Sequence, residues 1–349
     1  MPFLPVRPEN AELVALAVDI VNAANRVDDP DAIEELPELT ALWLTYGWDL
    51  EPAEKFLYFP DGSDTAVGVL DIEHPMRDNR ELVWGGVVVR PEHRRRGHGT
   101  AMVQEVLRRT RELGRSIVWI GAVESDPGAR AFLERFGFAY ASHDARRRQR
   151  LADVDRAELG RLHAEAVRAA ADYEVVRQVA PTPDDLLAEL VAVTAAINDA
   201  PMGELVHENE VFDLQRLKDV ETASAGIGHT VYRIYARHKQ TGEIGGHTVM
   251  VSHPLEPALA HQGDTAVSRE HRGHRLGLLL KIEMMRWLAE VEPQLELIET
   301  WNHADNTFMI NVNEAIGYRL SQVFAAYQLL LAPPAPSADR DTSLASATA

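Results

Sequence analysis

The sequence predicts a two-lobed α/β protein in which each lobe is a mixed sheet with helices on both faces. Three observations carry that prediction. The stretch PEHRRRGHGTAM at 91–102 returns in altered form as REHRGHRLGLLL at 269–280. Each copy follows a β-branched or apolar run and opens a stretch of helical periodicity. The order of elements around the first copy is then repeated around the second, and the interval from Gly99 to Gly137 nearly equals that from Gly277 to Gly317. An internal duplication is the simplest account.

In the first half an extended FLPVRP precedes a helix from Asn10 to about Ala24, with Leu13, Leu16, Ala17 and Ile20 on one face. Strands are expected at 65–72 and 81–89, both bounded by turn residues. A helix begins near Gly99, carries Met102, Val103, Val106, Leu107 and Leu113 inward, and stops at Gly114. The strand SIVWIGAV and the short helix GARAFLERF complete the unit.

Residues 153–172, charged and helical, are expected to form a linker. The second half repeats the order: extended YEVVRQVAP, a helix at 183–197, a hairpin across KQTG, the strand ALAHQGDTAV and a helix bearing Leu276, Leu279, Leu280, Met284, Trp287 and Leu288. QLELIETWN and NTFMINVNEAIGY close it. The expected organisation is therefore an N-terminal lobe at 1–152, the linker, a C-terminal lobe at 173–331, and a disordered tail at 332–349 rich in Pro, Ala, Ser and Thr.

Composition narrows the function. The 349 residues carry a formal charge of −19, which repels polyphosphate backbones, so nucleic acid is not an expected partner. An acidic surface favours a cationic, amine-bearing small molecule. With no cysteine, thiolate metal sites, disulfides and cysteine nucleophiles are excluded. Neither a signal peptide nor a membrane-spanning apolar run is present, and a cytoplasmic monomer or homodimer is expected. His271 and His274 lack carboxylates at ligand spacing, so no metal is expected.

A strand feeding through a tight Arg- and Gly-rich turn into a helix exposes backbone N–H groups at the positive end of the helix dipole, which makes an anion site. The loops lack the lysine and hydroxyl of a nucleotide P-loop and the third glycine of a dinucleotide turn. VRPEHRRRGHGTAM and VSREHRGHRLGLLL resemble motif A of the GNAT N-acetyltransferase superfamily, Arg/Gln-x-x-Gly-x-Gly/Ala, with Arg94, Gly97 and Gly99 in the first copy. Arg272, Arg275 and Gly277 take those places in the second. The later helices and their closing Gly-Phe and Gly-Tyr extend the resemblance over nearly the whole chain, as a tandem, two-domain member with mostly antiparallel sheets.

The resemblance implies acetyl-CoA as cofactor. Its pyrophosphate is expected on Arg94, Arg95, Arg96, Gly97, His98, Gly99 and Thr100, and on Arg272, Gly273, His274, Arg275, Leu276 and Gly277, with Val89 and Val267 pairing the pantetheine arm and Asn306 beside it. The run RRRQR at 146–150 has no such context and is expected on an exposed strand or linker edge.

Acetyl transfer to an amine also needs a base and an acid. The family's usual tyrosine acid is replaced by Leu133 in one half and Asn313 in the other. The strand before the first loop has no titratable group near its end, and Gly86 stands where the second half has Asp264. The second strand also carries His261, and the next strand adds Glu299, Thr300, Asn302 and His303. Chemistry is therefore expected in the C-terminal lobe, on Asp264, His261 and Glu299, while Glu81 and Glu124 are possible bases in the first. The segment 197–213, with Glu204, Glu208 and Glu210, is expected to shape the acceptor pocket. The expected function is an acetyl-CoA-dependent N-acetyltransferase acting on a small amine; the alternative is a CoA-binding sensor or scaffold without turnover.

Overall fold

A computed structural model describes residues 2–332. The first half runs β1 (Phe3–Val6), α1 (Ala11–Asp28), α2 (Pro37–Tyr46), β2 (Glu54–Tyr58), β3 (Gly68–Glu73), β4 (Leu82–Val89), α3 (His98–Glu112), β5 (Ile117–Val123), α4 (Pro127–Glu134) and β6 (Ala139–Arg150). After α5 (Arg156–Ala169) the same order returns as β7 (Tyr173–Val179), α6 (Asp184–Ala195), α7 (Leu214–Ile227), β8 (Thr230–His238), β9 (Ile244–Ser252), β10 (Leu259–Val267), α8 (Leu276–Val291), β11 (Leu297–His303), α9 (Thr307–Ala315) and β12 (Arg319–Leu330). The duplication thus extends to every element except α5.

All strands join one 12-stranded sheet, ordered β1-β2-β3-β4-β5-β12-β6-β11-β10-β9-β8-β7. Pairing is antiparallel except between β4 and β5 and between β10 and β11. The centre is exchanged: β12 pairs with β5 of the first half, from Phe324↔Val123 to Leu330↔Ile117. Reciprocally, β6 pairs with β11 of the second, from Leu297↔Arg150 to His303↔Asp144. The boundary expected at residue 152 therefore does not separate the strands of one half from those of the other.

Helices cover both faces. α3 buries Met102, Val103 and Val106 against Leu70, Ile72 and Val118, while α1 buries Val14, Ala17 and Val21 against Leu57 and Val69 on the other side. In the second half α8 packs with Leu279, Leu280 and Met284 under Ile234, Met250 and Ile298. α6 covers the opposite face through Leu187, Leu190 and Val193. Helix α2 of one half meets α7 of the other at Gly226, where a β-carbon would lie 2.4 Å from the Tyr46 ring; only glycine permits that approach.

Two expectations are corrected. The run 146–150 is the interior of the central strand β6, with Arg146, Arg147 and Gln149 buried, because distant segments supply partners that the local sequence does not show: Asp29 for Arg146 and the Ile316 carbonyl for Gln149. The helix expected as a linker, α5, places Leu159, Leu162 and Ala166 in the core under α8. Helices α2 and α7 and strand β2 were not foreseen. The expected tail falls, from residue 333 onward, outside the described residues. Among the described residues no helix is long and apolar enough to cross a membrane.

Candidate active site

Two parallel strands part to open the main cleft. β4 and β5 are paired from Leu82↔Ile117 to Gly85↔Ile120, after which β4 continues to Val89 without β5. The cleft there has a volume of about 2020 Å³ and is lined by Val87, Val88 and Val89 on one lip and Gly121, Ala122 and Val123 on the other. The two lips pair with β3 and β12 on their outer sides but not with each other, which leaves inner-edge backbone groups open to an extended ligand.

The first glycine loop forms one wall. Arg94, Arg95, Gly97, His98, Gly99 and Thr100 line the cleft. Arg95 and Gly97 adopt left-handed backbone conformations, with φ of 62° and 88°, turning successive N–H groups toward the start of α3, which no side chain caps. Arg94 fixes the turn: its Nε donates to the Val89 carbonyl at 2.9 Å and its two terminal nitrogens donate to Asp28 at 2.6 Å each. Arg95 and Arg96 are exposed and make no ion pair among the described residues. A dipole end, open amides and two free cations make this loop fit a pyrophosphate.

The second loop repeats the backbone and differs in charge. Gly273 and Arg275 hold the two left-handed positions, with φ of 89° and 53°, so glycine has moved from the second position to the first. Arg272 donates to the Val267 carbonyl at 3.2 Å, as Arg94 does to Val89. β10 also parts from β11 after Gln262↔Thr300. Here, however, the cations are already matched: Arg269 and Arg272 both sit on Asp199 at 2.5 Å, and Arg275 lies 2.7 Å from Glu165. Hydrogen bonds from the two arginines hold the Asp199 carboxyl down at about 2. Arg272, Gly273, His274, Leu276 and Gly277 are not part of the large cleft.

The other part of the cleft is acidic and aromatic. Asp71 on β3 faces Gly86 on β4; a β-carbon on Gly86 would meet Asp71 Cβ at 3.0 Å and Oδ2 at 3.2 Å. Lys55 Nζ holds the other Asp71 oxygen at 2.7 Å. Glu35, Asp49 and Glu73 line the same space, and desolvation within the cleft raises the carboxyl of each above its ordinary value, opposed by Lys55 at Glu35 and by Arg216 at Asp49. Trp43, Trp48, Trp84 and Trp301 line it too and remain 40 to 46% exposed, although Arg216 lies over the Trp48 ring and Arg146 over that of Trp301.

The second half completes this cleft. Arg216 of α7 reaches Asp49 at 3.2 Å, Asp78 at 2.5 Å and Glu210 at 3.3 Å, drawing part of the segment 197–213 onto the first half. Glu208 accepts the Asn79 amide at 3.1 Å, whereas Glu204 is exposed. His261 and Glu299 are register partners on β10 and β11 and both line the large cleft. Arg148 holds Glu299 through Nε at 2.8 Å and a terminal nitrogen at 2.7 Å. Asp264 is not with them: it is half-buried outside that cleft, its carboxyl raised by burial and opposed by Arg233. Asn306 caps α9, accepting from the Met309 amide at 3.2 Å, and Asn313 donates to Asn302 at 2.8 Å.

Comparison with known proteins agrees with this architecture. Residues 21–138 match the acetyltransferase (GNAT) family, and the whole chain resembles a tandem GNAT protein from the clavulanic acid biosynthesis pathway, with a TM-score of 0.77 at 24% identity, covering 95% of this chain and 99% of that one. The chain therefore carries a GNAT-family match over residues 21–138 and shares its overall fold with that tandem GNAT protein. The fold is also shared with a GCN5-related N-acetyltransferase from Sphaerobacter thermophilus, TM-score 0.64 at 16% identity, over 94% of this chain and 96% of that one. A mycothiol acetyltransferase from Acidothermus cellulolyticus is 29% identical over 134 residues, which is 38% of this chain and 39% of that relative. The family match falls on the half whose loop lines the large cleft.

Proposed function

We propose that the protein is an acetyl-CoA-dependent N-acetyltransferase of a small amine, and that its chemistry lies in the cleft of the first half. The second half is where the sequence pointed. The observation that moves the reading is the contrast between the loops: Arg95 and Arg96 make no ion pair among the described residues, whereas Arg269 and Arg272 share Asp199 and Arg275 pairs with Glu165.

Acetyl-CoA supplies an activated acetyl group, which the acceptor amine takes by direct attack on the thioester. The chain's own residues position and deprotonate the acceptor. An amine with a pKa near that of lysine, about 10.4, arrives as an ammonium and must lose a proton. Asp71 occupies the space that a side chain on Gly86 would fill, beside the parting strands, and is the base we assign. Glu35, Asp49 and Glu73 attract the cation, and the tryptophan faces favour an acceptor that combines positive charge with a flat apolar surface. Among the described residues no tyrosine lines the cleft, so we assign no side chain to protonation of the departing thiolate.

The test is release of free thiol from acetyl-CoA in the presence of a panel of polyamines, aminoglycosides, amino sugars and aromatic amines. Turnover with a cationic acceptor supports the reading. Tight CoA binding with no thiol release over the whole panel supports a CoA-binding sensor instead.

A further inference from the structure

We propose that Lys55 is the positioning residue of the acetyl-transfer base: it holds one oxygen of Asp71 so that the other stays ionised and aimed at the gap over Gly86. The proposal rests on the reading of Asp71 as the base. The three residues stand in one row across the sheet, Lys55 on β2 paired with Asp71 on β3, and Asp71 with Gly86 on β4. Lys55 Nζ lies 2.7 Å from Asp71 Oδ1, whereas Oδ2 lies 3.2 Å from the place of a β-carbon on Gly86. The Lys55 side chain is 12% exposed and that of Asp71 32%, so the ion pair is partly shielded from water while the carboxylate stays open to the cleft. A charge-assisted bond at one oxygen restrains rotation of the carboxylate and leaves Oδ2 to meet the acceptor ammonium. Asp71 Oδ2 takes one proton from that ammonium; Lys55 neither gains nor loses one.

The surroundings make this cation decisive. Glu35 approaches the pair from the segment before α2, Glu73 from β3 itself, and Asp49 and Glu51 lie beyond Glu73. The nearby cations are engaged elsewhere: Arg77 with Asp49, Glu51 and Asp219, Arg216 with Asp49 and Asp78, and His74 with Glu54. Lys55 is the only ion-pair partner of Asp71 among the described residues. Carboxylates crowded in one space favour taking up a proton, and an adjacent ammonium opposes that at the carboxylate it touches. Lys55 thus selects which of the crowded acids is kept ready to accept.

The second half shows the same row without its carboxylate. Arg233 on β8 pairs with Val249 on β9 as Lys55 pairs with Asp71, and a β-carbon on Gly263 would lie 3.6 Å from Val249 Cβ. The cation and the empty space are kept, and the acid is gone. Arg233 turns instead to His247 at 2.9 Å and Glu221 at 3.7 Å, and its Nε is buried without a partner. An orphaned buried donor is what remains when a position shaped for a carboxylate loses it.

The test compares wild type, Lys55→Met, Lys55→Arg and Asp71→Asn in the full chain. With aspartate carboxyls labelled with carbon-13, the NMR signal missing from Asp71→Asn reports that group without any acceptor. In Lys55→Met it should be half protonated at a proton concentration at least about 10-fold lower than in the wild type, and Lys55→Arg should stay close to wild type. In thiol release from acetyl-CoA with an amine that turns over, Lys55→Met should lower kcat about 10-fold or more at neutral pH, with the KM for acetyl-CoA unchanged. That deficit should shrink as pH rises, and Lys55→Arg should recover most of it. The proposal is overturned if the Asp71 signal titrates in Lys55→Met as in the wild type, or if the deficit is the same at every pH, as a merely structural lysine would give. An Asp71→Asn enzyme with wild-type turnover overturns the base assignment instead, a result separate from the NMR signal, which reads the effect of Lys55 alone.

Discussion

Asp71 Oδ2 lies 3.2 Å from the point where a β-carbon on Gly86 would project, so a carboxylate from β3 fills the side-chain space left empty on β4. If Asp71 is the base, Asp71→Asn lowers turnover at neutral pH by about 100-fold or more. Affinity for CoA, measured by calorimetry, should stay near wild type. Raising the pH should recover part of the rate by supplying free amine. An Asp264→Asn variant that loses activity while Asp71→Asn keeps it would return the chemistry to the second half.

The two loops should respond differently to a carboxylate. Gly99→Glu places negative charge in the wall of the open cleft and crowds Phe132, whose ring carbon would be 3.3 Å from the new β-carbon. Affinity for CoA should fall more than 10-fold. Gly277→Glu should have the smaller effect on total binding, since the second loop already carries its counter-ions. Stoichiometry in the same titration shows whether one loop or both are filled.

Replacing Arg95 and Arg96 together by alanine should weaken CoA and flatten the dependence of its affinity on salt, because two exposed cations are lost. Arg272→Ala should leave that salt dependence unchanged.

The backbone chemistry of the site was legible in the sequence, while its side-chain chemistry was less so. Glycine and arginine at a strand-to-helix junction specify a turn and its open amides locally, so both loops could be placed from short windows. Asp71 could not, because its relation to Gly86 exists only across two paired strands. β6 was misjudged for the same reason: Arg146 is buried against Asp29 at 2.6 and 2.9 Å, a partner 117 positions away, and nothing near 146 in sequence supplies that charge. Helix α2 was missed because PELTALWLTY has no single apolar face; it shows Trp43 to the cleft and Tyr46 to α7. His261 and Glu299 were noticed as polar residues on strands, yet which cleft they face depends on the strand exchange.

Arg146→Leu should therefore cost about 3 to 5 kcal/mol by leaving Asp29 buried without its partner, measured by urea unfolding. Adding Asp29→Asn to that variant should restore part of the loss.

Glu35 gives a pH signature. Desolvation in the cleft raises its carboxyl in the folded chain, so the folded state holds that proton more tightly and wild-type stability falls as pH rises from the ordinary value of 4.5 through the folded one. Glutamine does not titrate, so the stability difference between Glu35→Gln and wild type should grow in the variant's favour across that window and level off above it. A difference that shrinks with rising pH would mean the carboxylate is stabilised instead.

The crossing of β6 and β12 makes each repeat dependent on the other for its interior. A gene cut between them would yield two polypeptides that each lack a middle strand and offer an open edge, and neither would be expected to persist alone. Expressed together, the two pieces should find one another and rebuild the sheet. Loss of catalysis in one copy therefore gives no licence for that copy to be deleted. A duplicated half can give up its substrate and still be kept, because it supplies the strand that closes its twin.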